Sequence, residues 1–108
     1  MAEQMKHGLE DAYGVDVHLK DHKIEMDDRL FAGPTNFVVH NEGKRAHNFQ
    51  VEGQGLDRKF DSELKPGETR VMQVKLEPGT YEVECPGDLH KQDGMKMELE
   101  VTGPRKSV

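Results

Sequence analysis

The chain has 108 residues, the size of a single domain, and a formal net charge of -6. Hydrophobic and charged residues each make up 33% of the sequence and the mean hydropathy is -0.86, so the apolar residues have to be placed economically. The acidic balance argues against a nucleic-acid-binding protein. A single cysteine excludes an internal disulfide bond, and no apolar run is long enough to span a membrane.

The first twelve residues show no clear period, and we predict an N-terminal extension over residues 1–12. They lack the apolar segment that is typical of a signal peptide. Two interpretations stay open from composition: a cytoplasmic protein, or the mature part of an exported protein that begins with an added methionine.

From residue 13 onward, alternating apolar and polar residues predict short strands. The inward-facing sets are, in chain order, Val15, Val17 and Leu19; Ile24 and Met26; Phe37 and Val39; His47, Phe49 and Val51; Met72, Val74 and Leu76; Tyr81, Val83 and Cys85; and Met95, Met97, Leu99 and Val101. Gly33-Pro34 is expected to break the chain, and residues 52–64 are expected to be irregular. Seven or eight strands without a helical period predict an all-β sandwich over residues 13–102, followed by a tail over 103–108.

The most specific chemistry lies between residues 81 and 95. Cys85, His90 and Met95 stand five residues apart and offer a thiolate, an imidazole and a thioether. These ligands suit copper, and two histidines with one cysteine and a long axial methionine form a blue-copper site. The missing histidine has to come from elsewhere in the fold. His47 is our candidate, because it begins an inward-facing strand set just after a turn.

The two motifs together resemble those of a known family. Cys-x4-His-x4-Met resembles the ligand loop of the cupredoxins, and Asn-x-Gly-x-x-x-His-Asn-Phe at residues 41–49 resembles the segment that supplies their first histidine. The likeness covers roughly residues 15–102 and implies a Greek-key β-sandwich or barrel. It also implies one mononuclear type 1 copper ion bound by His47, Cys85, His90 and Met95.

Three further residues are expected to support these ligands. Asn48 resembles the family residue that joins the two ligand segments through hydrogen bonds around the metal. Gly94 allows a close approach of the backbone, and Pro86 removes one backbone donor near the cysteine sulfur.

A small apolar docking surface is expected around His90, the predicted port for electrons. It would consist of Leu89, Pro86 and Gly87. Contacts of this kind between redox proteins are typically small and transient.

Each ligand also has a plainer interpretation. A cysteine or methionine at an inward strand position is commonly a core residue, and a histidine in a polar loop is usually solvated. A carboxylate such as Glu84 or Asp93, or a water molecule, could replace Met95 as the axial ligand. Tyr81 is expected to tie down a crossover through its hydroxyl group. The other histidines are expected to have no metal role: His7, His18, His22 and His40.

No sequence pattern typical of an enzyme is present, and four protein ligands leave no open position for a substrate. We therefore predict a monomeric, non-enzymatic electron carrier whose redox partners, such as a cytochrome or an oxidase, present a basic face to this acidic chain. The resemblance implies a periplasmic or other extracytoplasmic location. Two rival predictions are a copper carrier or delivery module with the same ligands, and a structural module whose site is unused.

Overall fold

The computed structural model describes residues 12–86 and 96–104, and the regular structure in these ranges is entirely β-strand. The eight strands are β1 (Tyr13–Leu19), β2 (Ile24–Glu25), β3 (Arg29–Asn41), β4 (Gln50–Gly53), β5 (Leu56–Lys59), β6 (Thr69–Leu76), β7 (Gly79–Glu84) and β8 (Lys96–Pro104). The prediction of an all-β fold with seven to eight strands is confirmed.

Residues 1–11 and 105–108 lie outside the described ranges, so most of the predicted extension and tail is not covered. The last strand continues two residues beyond the predicted domain end at 102. Within the two described ranges there is no helix with the length and apolarity that a membrane crossing requires.

The strands form two layers that share β3. One layer has the order β2-β1-β3-β6, and the other has the order β3-β8-β7-β4-β5. β3 runs parallel to β1 and to β8, whereas the other pairs are antiparallel. Two packed layers of this kind make a β-sandwich.

The shared strand passes from one layer to the other at Gly33. Residues 29–32 pair with β8, while the stretch from Gly33 onward pairs with β6. Gly33 has a φ of 126°, a conformation that glycine adopts without a steric penalty, and a register shift precedes it between Phe31 and Ala32. The prediction that Gly33-Pro34 breaks the chain is therefore wrong, because the glycine bends the strand without ending it.

The core lies between the two layers and consists of the inward half of each alternating strand. Phe37 of β3 contacts Phe49, which leads into β4 of the other layer, with 5.4 Å between ring centroids. Met26 was expected to continue β2 but lies one residue beyond it, half-buried against the core. The fully buried aliphatic side chains include Val17, Leu19, Val39, Val51, Leu64, Val83 and Leu99.

A hairpin of β4 and β5 occupies part of the segment that was expected to be irregular. Gly53 and Leu56 pair across the turn, and the two residues between them, Gln54 and Gly55, have φ values of 50° and 81°. Positive φ at both central residues is the hallmark of the type I′ hairpin turn. The prediction of an irregular segment is thus wrong for residues 52–59. The mostly exposed side chains of β5 explain why alternation did not reveal it.

The predicted role of Tyr81 is confirmed. Its side chain is buried in β7, and its hydroxyl donates to the carbonyl of Glu77 and accepts from the amide of Glu77, both at 2.8 Å. The ring thereby anchors the turn between β6 and β7 to the core.

Candidate metal centre

Cys85 follows directly after β7 and is completely buried. The inward alternation of Tyr81 and Val83 continues to this residue, as predicted. Its thiol therefore joins the apolar core at one end of the strand. Pro86, the next residue, is half-buried.

His47 precedes β4 by three residues and is held by its backbone. Its amide and carbonyl pair with the carbonyl and amide of Leu64 at 3.1 and 2.8 Å. Its imidazole is completely shielded from solvent. The burial of His47, Phe49 and Val51 agrees with the predicted inward set, although the strand itself begins only at Gln50.

The two candidate ligands lie at the same end of the sandwich. β4 and β7 are antiparallel neighbours, and Gln50 lies opposite Glu84 in their register. His47 lies three residues before Gln50, and Cys85 is the residue after Glu84. The structure therefore brings the two segments together, whereas their role as copper ligands stays a prediction.

Behind His47 lies a carboxylate that the sequence analysis did not single out. The imidazole Nε2 lies 3.0 Å from Oδ1 of Asp21, in the turn between β1 and β2. The backbone amides of Lys44 and Arg45 also donate to this carboxylate, at 2.9 and 3.2 Å. The hydrogen bond with His47, followed by that from the Lys44 amide, lowers the pKa of Asp21 to about 2. Asp21 is therefore an anion at neutral pH.

The turn that presents these amides is shaped by Asn41, the first residue of the motif at 41–49. Its completely buried side chain donates from Nδ2 to the carbonyls of Arg45 and Leu64, at 2.8 and 3.0 Å. Its Oδ1 accepts from the amide of Gly43 at 2.9 Å. The asparagine thus holds both the turn and the segment that pairs with His47.

The segment that pairs with the histidine is braced by β6. Arg70 donates to the carbonyl of Ser62 at 2.8 Å, and its guanidinium carbon lies 5.2 Å from the ring centroid of Phe60. Glu68 holds the same guanidinium through a contact of 2.7 Å. Arg70 therefore ties the segment that precedes Leu64 to β6.

Asn48 joins the entry of β4 to the end of β5. Its Oδ1 accepts from the amides of Phe49 and Phe60, at 2.7 and 3.1 Å, and its Nδ2 donates to the carbonyl of Phe60 at 3.0 Å. The predicted link between the two ligand segments stays a prediction.

The remaining predicted residues of the loop lie outside the described residues. They are Gly87, Leu89, His90, Gly94 and Met95, together with the alternative axial ligand Asp93. The other alternative, Glu84, lies between buried Val83 and buried Cys85. This alternation turns its carboxylate toward the outer face of the sheet, which disfavours Glu84 as an axial ligand.

Two other histidines form a separate pair on the outer face of β1 and β3. The rings of His18 and His40 stack with 5.1 Å between centroids, and each contacts a carboxylate, Glu42 and Asp16 respectively. The prediction that both histidines face outward is confirmed, whereas the absence of a metal role stays a prediction.

The donor set at the end of the sandwich fits copper. A buried thiol and a buried imidazole are the soft and borderline ligands that copper prefers. Because Nε2 of His47 is engaged with Asp21, a metal ion would be bound through Nδ1. Residues 12–86 and 96–104 contain no group of three or more His, Cys, Asp or Glu side chains that could hold a metal ion. Two of the four predicted ligands lie between these ranges.

The fold is similar to those of several solved protein structures. Dithionite-reduced auracyanin from Roseiflexus castenholzii is 14% identical with a TM-score of 0.70, over 84% of this chain and 98% of that one. Auracyanin B is 19% identical with a TM-score of 0.68, over 82% of this chain and 88% of that one. The copper nitrite reductase of Nitrosomonas europaea is 21% identical with a TM-score of 0.66, over 86% of this chain and 42% of that one. At these identities the likeness shows the fold alone.

None of the curated proteins has a sequence that matches this one. The family profile of the cupredoxin-like domain, by contrast, matches residues 2–101, which is nearly the whole chain. This match and the eight-stranded sandwich agree with each other. The chain therefore belongs to the cupredoxin-like domain family.

Proposed function

We propose that this protein is a blue-copper electron carrier with one mononuclear copper ion bound by His47, Cys85, His90 and Met95. The observation that supports this most is the burial of His47 and Cys85 at the same end of the sandwich. Bound copper would supply one-electron chemistry by alternating between Cu(I) and Cu(II).

The chain's own residues hold the ligands in fixed positions. Cys85 would bind as a thiolate, because metal binding releases the thiol proton. His47 is held through its backbone by Leu64 and through its ring by Asp21. Ligands that cannot move far keep a similar arrangement in both oxidation states, and this favours rapid electron exchange.

Electron transfer is a better proposal than catalysis for this chain. Four protein ligands leave no open position for a substrate. The copper nitrite reductase with a similar fold is a larger protein, and this chain matches 42% of it. We place the protein outside the cytoplasm, where cupredoxins usually work.

The partner is proposed to be a redox protein with a basic face. The chain carries a net charge of -6. Exposed carboxylates lie side by side on the outer face of β7 and β8, where Glu82 is opposite Glu98 in the strand register and Glu100 follows. Lys96 contacts Glu82 at 3.1 Å. Such a field attracts a positively charged partner before contact.

Addition of Cu(II) to the purified full chain tests the copper site. We expect binding of one equivalent and an intense visible absorption band from sulfur-to-copper charge transfer, because a thiolate is among the ligands. The Cys85→Ser variant should lose the band. His47→Gln should also alter it, while His40→Gln is the matched control, because His40 lies on the outer face.

The outcome also separates the proposal from its rivals. A wild-type chain without the band, or a Cys85→Ser variant that keeps it, would contradict the copper thiolate site. Copper that leaves for a chelator during repeated reduction and oxidation would favour a copper carrier, whereas retained copper supports electron transfer.

A further inference from the structure

The carboxylate of Asp21 lies in a pocket formed by residues that are distant from it in sequence. Three donors converge on it from the segment 44–47: the Lys44 amide, the Arg45 amide and Nε2 of His47. All three contact Oδ1, at 2.9, 3.2 and 3.0 Å, and the Lys44 amide also contacts Oδ2 at 2.9 Å. The side chain is only 21% exposed.

Gly43 leaves the space that this carboxylate fills. A Cβ atom added at Gly43 would collide with Oδ1 and the carboxyl carbon of Asp21. Gly43 does not have a positive φ, so a glycine is required here because of the limited space and not because of the backbone conformation. The turn and the carboxylate therefore fit each other closely.

A carboxylate behind a metal-binding histidine has two effects. It accepts a hydrogen bond from the N–H of one ring nitrogen, which fixes the ring orientation and directs the other nitrogen to the metal. Its negative charge also makes the imidazole a stronger donor, and a stronger donor stabilises Cu(II) more than Cu(I).

We propose that Asp21 is a positioning residue that orients His47 for copper and lowers the reduction potential of the site. This inference rests on the proposed function, since it concerns the same copper ion. Nε2 of His47 carries the ring proton and donates a hydrogen bond to Asp21, and Nδ1 binds the metal.

Three variants of the full chain test the proposal. Asp21→Asn keeps an acceptor oxygen in the place of Oδ1 but removes the charge, and Asp21→Ala removes both. Asp16→Asn is the matched control, because Asp16 contacts Nε2 of His40 at 3.1 Å on the outer face. The reduction potential of each copper-loaded protein is measured by spectroelectrochemical titration.

We expect the potential to rise in Asp21→Asn and to rise further in Asp21→Ala. Loss of such a partner typically weakens metal binding about 10–100-fold. A tenfold weakening that affects Cu(II) alone raises the potential of a one-electron couple by about 59 mV. The control variant should keep the wild-type potential.

Nitrogen-15 NMR of the metal-free and Cu(I)-loaded chains gives a second readout. In the wild type, the proton on Nε2 of His47 should be observed and should exchange slowly with solvent, and Asp21→Ala should lose this protection. Potentials that stay unchanged in both Asp21 variants, or an unprotonated Nε2 in the wild type, would overturn the inference. In that case a copper-binding wild type would leave the proposed function standing, whereas a wild type that binds no copper would refute the function itself.

Discussion

Cys85 and Asp21 show which contacts of the candidate site can be predicted from sequence and which cannot. Cys85 could be placed from sequence, because its inward direction follows from strand alternation with Tyr81 and Val83. Asp21 could not, since it contacts His47 across 26 residues through two turns. No local period encodes such a contact, and only the register of the strands brings the two residues together.

Glu68 illustrates how one surface residue can make stability depend on pH. Its Oε2 accepts from the side chain of Arg70 and its Oε1 from the amide of Lys65, at 2.7 and 2.8 Å. The bond with Arg70, followed by that with Lys65, lowers the pKa of Glu68 below its ordinary value of 4.5.

A carboxyl group with a lowered pKa in the folded state stabilises the fold above its unfolded pKa. This contribution is lost as the pH falls from 4.5 through the lower pKa of the folded state. We expect Glu68→Gln to lose less unfolding free energy than the wild type over this interval, as measured by urea denaturation at a series of pH values. The matched control is Glu98→Gln, since Glu98 is exposed on β8. Equal acid sensitivity of Glu68→Gln and the wild type would refute the prediction.

At the scale of the elements, the alternating pattern was informative wherever a strand has one buried face. β1, β6, β7 and the later part of β3 follow it closely. β5 escaped prediction because most of its side chains are exposed, so its pairing depends on the turn at Gln54-Gly55 and not on burial. The continuity of β3 escaped prediction because Gly33-Pro34 is typical of a chain break, whereas here it redirects a strand.

The passage of β3 between the layers makes Gly33 sensitive to substitution. We expect Gly33→Ala to lower the free energy of unfolding by about 1–3 kcal/mol, since a side chain at a φ of 126° strains the backbone. A Cβ at this position would meet no atom within 4 Å, so the cost is conformational and does not arise from a clash.

Gly14→Ala in β1 is the matched control for this experiment. A Cβ there also meets no atom within 4 Å, but Gly14 is not among the residues with positive φ. Chemical denaturation should show a neutral or slightly stabilising change, because alanine reduces the conformational entropy of the unfolded chain. Equal losses in both variants would contradict the assignment of strain to Gly33.

At the scale of the whole molecule, the net charge of -6 makes partner encounter sensitive to salt. Screening shortens the reach of exposed charges to about 10 Å at 0.1 M ionic strength. We expect the second-order rate of electron exchange with a basic cytochrome to fall as salt is added, as measured by stopped-flow spectroscopy.

An acidic cytochrome is the control for that measurement, and its rate should rise with salt because screening weakens the repulsion. The combination of Glu98→Gln and Glu100→Gln, on the outer face of β8, should reduce the salt dependence with the basic partner. A rate that does not respond to salt would argue against electrostatic steering.

Membership of β3 in both layers has a mechanical consequence. In a sandwich whose two sheets share no strand, the sheets can separate while each keeps its own hydrogen bonds. Here residues 29–32 pair within one half and residues 33–41 pair within the other, so the continuous backbone of β3 ties the two halves together at Gly33. This junction lies beside Leu76 and Pro104, so the continuous backbone holds the two halves together at the end of the sandwich opposite to Cys85.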